Sequence, residues 1–405
     1  MDDIKQSVLN IETLGHIDHG KTSLTKALTG VWTDKHSESI KRNMTIKLGY
    51  ADTVIKKCEK CPEPDAYTVS DTCPKCGGPA KPVIRVSFLD APGHETLMAT
   101  AIAGASVIDA VLFVIAANEP CPMPQTKEHL MIINLLGLKN VIIAQTKIDI
   151  VGKEKALESY KQIKAFVKGT IIEDAPIVPV MTNRGVNIDV LLQKILELPR
   201  PKRDVDSDPL MYVVRSFDVN RPGTDTSKLV GGVIGGTIVK GKFKKGDEIE
   251  IRPGINVSKD AKKDDYKPVI TTIRAMNNGT EDIDEAIPGG LIGISTGIDP
   301  AFVKADNLVG NVVGHTGKLP EAKSLISIKY SRIARDDIQE QSFHEGEALI
   351  MGVGTATVVG YVKKTKKDKA DVELKHKVCI DKGEKIAILR NISQRWRLTG
   401  YGMLQ

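Results

Sequence analysis

From residue 10 to about residue 200, short apolar runs rich in β-branched residues alternate with longer stretches of helical spacing: "NIETLGHI", "KTSLTKAL", "VIRVSFLD", "AVLFVIAA", "QTKEHLMIINLLG", "NVIIAQTKID" and "EKALESYKQIKAFVKG". Strand followed by helix, repeated, predicts a doubly wound α/β domain with a mostly parallel sheet. "ELPRPKRDVDSDP" interrupts that rhythm with three prolines and dense charge, which reads as a linker. Beyond it come short strands broken by glycine about every ten residues, among them "PLMYVVRSFDV", "GGVIGGTIVKG", "DEIEIRPG", "SLISIKYSR" and "EALIMGVGTATVVGYVKK". This pattern predicts two β-barrels that meet near "HTGKLPEAK". The expected domains are residues 1–203, 204–319 and 320–405.

A chain of 405 residues is too long for one ordinary core, in keeping with three domains. With 41% hydrophobic and 27% charged residues it has a globular composition, and its apolar runs are too short to span a bilayer, so the expectation is a cytoplasmic protein with no membrane partner. A formal charge of +6 suits a nucleic-acid partner without requiring one. Four of the six cysteines, Cys58, Cys61, Cys73 and Cys76, form two C-x-x-C pairs separated by eleven residues. Four thiolates at that spacing can close a tetrahedron around Zn²⁺, and Pro62, Pro74, Gly77 and Gly78 permit the tight turns, so a structural zinc knuckle is expected over residues 56–80.

"GHIDHGKTS" fits G-x-x-x-x-G-K-[ST] between a predicted strand and a predicted helix. Gly15, Asp18, His19, Gly20, Lys21, Thr22 and Ser23 are therefore candidate phosphate-binding residues, Lys21 as a point charge and the Thr22 hydroxyl as a Mg²⁺ ligand. In "VSFLDAPGHE" a strand delivers Asp90, a second candidate Mg²⁺ ligand. Gly93 can offer an N–H to a γ-phosphate, and His94 stands where an attacking water would be oriented.

"GHIDHGKT", "DAPGHE" and "TKID", taken together, resemble the translational GTPases, a superfamily that includes elongation factor Tu. "GVWTDKHSESIKRNMTIKLGYAD", the cysteine insert and "RWRLTGYG" extend the likeness over nearly the whole chain, to the γ subunits of archaeal translation initiation factor 2. The resemblance implies a GTPase that binds GTP or GDP with Mg²⁺. It implies partnership with α and β subunits, methionylated initiator tRNA and the small ribosomal subunit. Thr45 matches the switch threonine that closes on Mg²⁺ and the γ-phosphate, and Asn43 stands where the family usually has glycine. Tyr50 and Phe217 are candidates for the wall of an aminoacyl pocket. A selenocysteine-specific elongation factor and a scaffold that no longer switches are the other readings; nucleotide binding separates the scaffold from the rest.

The family's base-reading loop is N-K-x-D. Its Asp accepts from guanine N1–H and N2–H₂, its Lys covers the ring, and its Asn donates near O6/N7 and ties the loop to the phosphate loop. Here Lys147 and Asp149 are kept while Thr146 replaces the Asn, and a hydroxyl is expected to be too short for that tie. The following base loop, a Ser-Ala pair in the family, carries Met181 and Thr182, followed by Asn183. Three further stretches have readings that need no ligand. "KKTKKDK" reads equally as a solvated hairpin tip or as a contact to RNA phosphates, and "SQRWRLTGYG" as a strand with Trp396 buried and Arg395 and Arg397 outward, a reading compatible with RNA contact. Gly231, Gly232, Gly235 and Gly236 read as close barrel packing.

Overall fold

A computed structural model describes residues 4–33, 48–92, 102, 107–221, 223–225, 229–258, 265–333 and 342–405. Thr45, Gly93 and His94, and with them Asn43, lie outside the described residues. The chain divides into two compact units, Met1–Pro201 and Lys202–Gln405.

The first unit contains β1 (Leu9–Leu14), α1 (Lys21–Thr29), β2 (Gly49–Cys58), β3 (Tyr67–Thr68), β4 (Ala80–Asp90), β5 (Ala110–Ala116), α2 (Pro124–Leu136), β6 (Val141–Thr146), α3 (Lys153–Val167), β7 (Ile177–Pro179) and α4 (Ile188–Leu196). Its sheet runs β3-β2-β4-β1-β5-β6-β7. The strands from β4 to β7 pair in parallel, whereas β2 pairs antiparallel with both β3 and β4. Both faces of the central strands are covered, so β5 is apolar throughout, and even the polar residues Asn10, Glu12 and Thr13 of β1 are buried. Leu24 and Leu28 of α1 with Leu191, Leu192 and Ile195 of α4 pack on one face, against Ile11, Leu112 and Val114. Leu130 and Ile133 of α2 with Ile163 and Val167 of α3 pack on the other, against Val111, Phe113 and Ile143. Two covered faces make the doubly wound fold, and the carboxyl ends of β1, β4 and β6 meet at one edge of it, where such folds bind ligands.

Among its described residues the second unit is built of β-strands, with two short 3-10 turns at Pro300–Phe302 and Lys304–Asp306. Its first part contains β8 (Leu210–Phe217), β9 (Val233–Lys240), β10 (Phe243–Lys244), β11 (Glu248–Asn256), β12 (Tyr266–Thr272), β13 (Ala275–Asn277), β14 (Asp282–Ile283), β15 (Glu285–Ala286), β16 (Ile292–Ser295) and β17 (Val312–His315). Eight of these form an antiparallel sheet in the order β12-β11-β17-β8-β9-β16-β13-β14, and β10 pairs with β15. One core, with Met211, Ile234, Ile249, Met276, Ile292 and Val313, draws on six of the eight. Three of the four glycines in "GGVIGG" are required by packing: a Cβ at Gly236 would lie 2.0 Å from Tyr212 O, at Gly231 2.0 Å from Thr296 O, and at Gly232 2.5 Å from Val303 Cγ2.

The remainder, β18 (Ala322–Arg332), β19 (Ala348–Val353), β20 (Ala356–Lys366), β21 (Lys369–Cys379), β22 (Lys385–Ile392) and β23 (Arg395–Leu404), closes into a six-stranded barrel. The lysine-rich stretch is the β20–β21 hairpin, with Lys367 at φ 55° in its turn. Trp396 lies on β23 as expected but is half-buried, not buried, because it stands beside the open β22–β23 turn.

Candidate functional site

The phosphate loop leaves β1 at Gly15, whose φ of +149° favours glycine and whose space excludes any other residue: a Cβ there would lie 2.2 Å from Val114 O. The Gly15 N–H donates to His129 Nδ1 of α2 at 3.1 Å. Acceptance from an N–H requires an unprotonated Nδ1, and complete burial holds the His129 pKa well below the ordinary imidazole value, with Lys21, His16 and His19 adding to the effect. The other end of the loop is fixed by His19, whose ring contacts Val114 O at 3.3 Å and Glu119 Oε2 at 3.2 Å. Burial draws His19 down to about 4 although Glu119 opposes it. Asp18 (φ 58°) is exposed at the crown of the loop, and Gly20 (φ 92°) begins α1, on which Thr22 and half-buried Ser23 follow.

Lys21 is buried, and its Nζ donates to Gly15 O and His16 O at 2.9 Å each. Burial pulls it to about 8 while Asp90 and Asp18 act to keep it charged. Asp90, at the end of β4 and fully buried, accepts from three hydroxyls: Thr22 at 2.6 Å, Thr33 at 2.7 Å and Thr13 at 3.0 Å. Burial raises its pKa, and the hydroxyls and Lys21 hold it back. Adjacent Lys21 and Thr22 are thus brought to Asp90, 68 positions beyond Thr22 in sequence. The sequence reading did not include His129, Thr13, Thr33 or Glu119. None carried a local signal; even His129 shares the buried face of α2 with the polar Thr126 and Glu128.

At the base end, β6 delivers Thr146, which is 1% exposed, followed by Lys147 at φ 57° and exposed Asp149. The expectation that the Thr146 hydroxyl cannot reach the phosphate loop is overturned. It donates to His19 O at 2.6 Å, because the end of β6 lies directly against the phosphate loop. Met181 and Thr182 enter a short 3-10 turn, Thr182–Arg184, in which the Met181 N–H is engaged by Val186 O at 3.3 Å. Asn183 is exposed on that turn. Tyr50 is half-buried on β2, and Phe217, in the other unit, is 41% exposed at the end of β8.

The four cysteines converge between β2 and β4, with every pair of sulfurs within 4.8 Å. Cys58 and Cys76 are 3.5 Å apart, Cys61 and Cys73 3.7 Å. A zinc tetrahedron with Zn–S of about 2.3 Å has edges of about 3.8 Å, so the set fits that ion. Gly77 (φ 69°) donates to Cys73 O, and Cys73 N–H donates to Gly78 O, the tight turns that aim the thiols inward. Among the described residues no helix is long and apolar enough to cross a membrane.

Three family models match: elongation factor Tu GTP-binding domain over residues 6–201, elongation factor Tu domain 2 over 231–305, and initiation factor eIF2 gamma, C terminal, over 326–404. The chain is 51% identical to translation initiation factor 2 subunit gamma of Methanothermobacter thermautotrophicus, covering 99% of each chain. It is 50% identical to that of Pyrococcus furiosus over 99% of this chain and 98% of the relative. Among solved structures, a bacterial selenocysteine-specific elongation factor superposes with a TM-score of 0.74 at 26% identity, over 99% of this chain and 58% of the other. An identity near one half along the entire length, against about one quarter for the elongation factor, decides between those two readings. The chain belongs to the translation initiation factor 2 γ-subunit family, GTP-binding members of the translational GTPases.

Proposed function

We propose that this chain is the GTP-switched subunit of a heterotrimeric initiation factor, which joins α and β subunits and carries methionylated initiator tRNA to the small ribosomal subunit. The observation that supports it most is the convergence of Lys21, Thr22 and Asp90, an amine, a hydroxyl and a carboxylate gathered at the phosphate loop. In this reading residues 1–203 bind nucleotide, and 204–319 and 320–405 are the two barrels.

Gly15, Asp18, His19, Gly20, Lys21, Thr22 and Ser23 hold the phosphates, and Thr146, Lys147, Asp149, Met181, Thr182 and Asn183 surround the base. Thr22, Asp90 and Thr45 would hold Mg²⁺, which supplies neutralisation of the charge on the transferred phosphate. Gly93 offers its N–H to the γ-phosphate, and His94 orients the water. Since loss of the γ-phosphate removes what Thr45 and Gly93 bind, both segments are released together, which makes the switch. Tyr50 and Phe217 line the aminoacyl pocket. Cys58, Cys61, Cys73 and Cys76 hold one structural zinc.

Filter binding of methionylated and uncharged tRNA to the GDP form and to the form loaded with a non-hydrolysable GTP analogue, with partner subunits present, tests the switch. The expected result is a preference of the GTP form for methionylated tRNA of about five- to a hundredfold. Equal retention in all four combinations would refute it. Metal analysis should return about one zinc per chain, and none after purification without chelator would remove the zinc assignment.

A further inference from the structure

The Thr146 hydroxyl carries one hydrogen, and that hydrogen is spent on the His19 carbonyl at 2.6 Å. What remains on the oxygen is lone pairs, which can only accept. Purine N7 and O6 are also pure acceptors, so residue 146 has nothing to offer them in any pose of the base. Nor can the hydroxyl readily turn away. Its side chain is buried, and the ring of His19 is held by Val114 O and Glu119, so the carbonyl would be left without its donor. Abandoning a buried acceptor costs about fivefold to a hundredfold in an equilibrium. An amide at the same position would bring two hydrogens, one for His19 O and one for the base.

We infer that Thr146 keeps the brace between the base loop and the phosphate loop but leaves N7 of the base unread, so that the site accepts 7-deazaguanine nucleotides as readily as guanine nucleotides. Selection for guanine then rests on its N1–H and N2–H₂, which a free carboxylate can accept and which Asp149 presents at the surface. This inference rests on the reading of the site as a guanine-nucleotide site.

Equilibrium binding of GDP and 7-deaza-GDP, which differ only at position 7, to the full chain with Mg²⁺ tests it. The two affinities should agree within about twofold, well inside the cost of a lost hydrogen bond. Thr146→Asn should tighten GDP and create a GDP preference of about fivefold or more. Thr146→Val, which removes the hydroxyl, should weaken both ligands alike. A natural chain that already prefers GDP by fivefold or more would overturn the inference, because another donor, such as the exposed Asn183 amide, would then read N7. So would a Thr146→Asn chain with no preference. If neither nucleotide binds either protein, the guanine-site reading falls and takes the inference with it, an outcome distinct from unequal binding.

Discussion

The two ends of the nucleotide site are built on opposite plans. At the phosphate end, Gly15, Lys21 and Asp90 are buried, and each is engaged by groups fixed in the fold: His129, the loop carbonyls and three threonine hydroxyls. At the base end, Asp149 is exposed, and the one buried member, Thr146, faces the phosphate loop. Gathering the charge of several phosphates demands donors preorganised by burial, and such an arrangement tolerates little change, since each substitution strands a partner. A surface carboxylate strands nothing when altered. Of the departures from the family's pattern, Thr146, Met181 and Thr182 fall at the base end and Asn43 in the switch segment.

That contrast can be broken most forcefully at Gly15. Gly15→Ala sets a methyl 2.2 Å from Val114 O at a positive φ, and it should cost about 3 kcal/mol of stability or more and abolish nucleotide binding. An unchanged urea midpoint with GDP affinity retained would show the phosphate end to be softer than described. Asp149→Ala should weaken GDP by about tenfold to a hundredfold through lost charge-assisted hydrogen bonds while leaving the urea midpoint alone. A matching fall in stability would mean that the base end is also part of the framework.

The third substitution sharpens the contrast at its weak point. Glu12 on β1 is fully buried, and among the described residues neither carboxylate oxygen has a hydrogen-bond partner. Burial raises its pKa well above the ordinary value of 4.5. The native state therefore binds this proton more tightly than the unfolded chain, so stability falls as pH rises from about 4.5 towards the raised value. Glu12→Met should stabilise the protein by about 1–3 kcal/mol near neutrality, by a margin that shrinks on acidification towards pH 4.5, with GDP affinity unchanged. Urea titrations at a series of pH values would detect this, and a gain independent of pH would exclude ionisation of Glu12 as its cause.

Legibility in the sequence followed the same division. The parallel strands β5 and β6 are apolar runs, and the phosphate loop and the cysteine tetrad are local patterns, so these could be read directly. β2 could not be read in this way. Its inward positions are Gly49, Ala51, Thr53, Ile55 and Cys58, mostly small or polar, so the period of two is blurred. Helix α4 is absent from the sequence expectation although Ile188, Leu191, Leu192 and Ile195 carry helical spacing. The Thr146 brace and the His129 contact join residues 127 and 114 positions apart. No local pattern encodes such a meeting, because it depends on how closely β6 and α2 approach the loop.

The hairpin of β2 and β4 joins two sites that have no residue in common. Gly49 stands opposite Asp90 at one end, and Cys58 stands opposite Ala80 at the other, about 30 Å away along ten residues of strand. If β2 slid past β4 by a single residue, every side chain on it would trade faces. The cysteine cluster, tied to the last rung, fixes the count of rungs as the clasp of a zip fixes its teeth, and a metal held there would keep the strand beside Asp90 in step from the far end of the sheet.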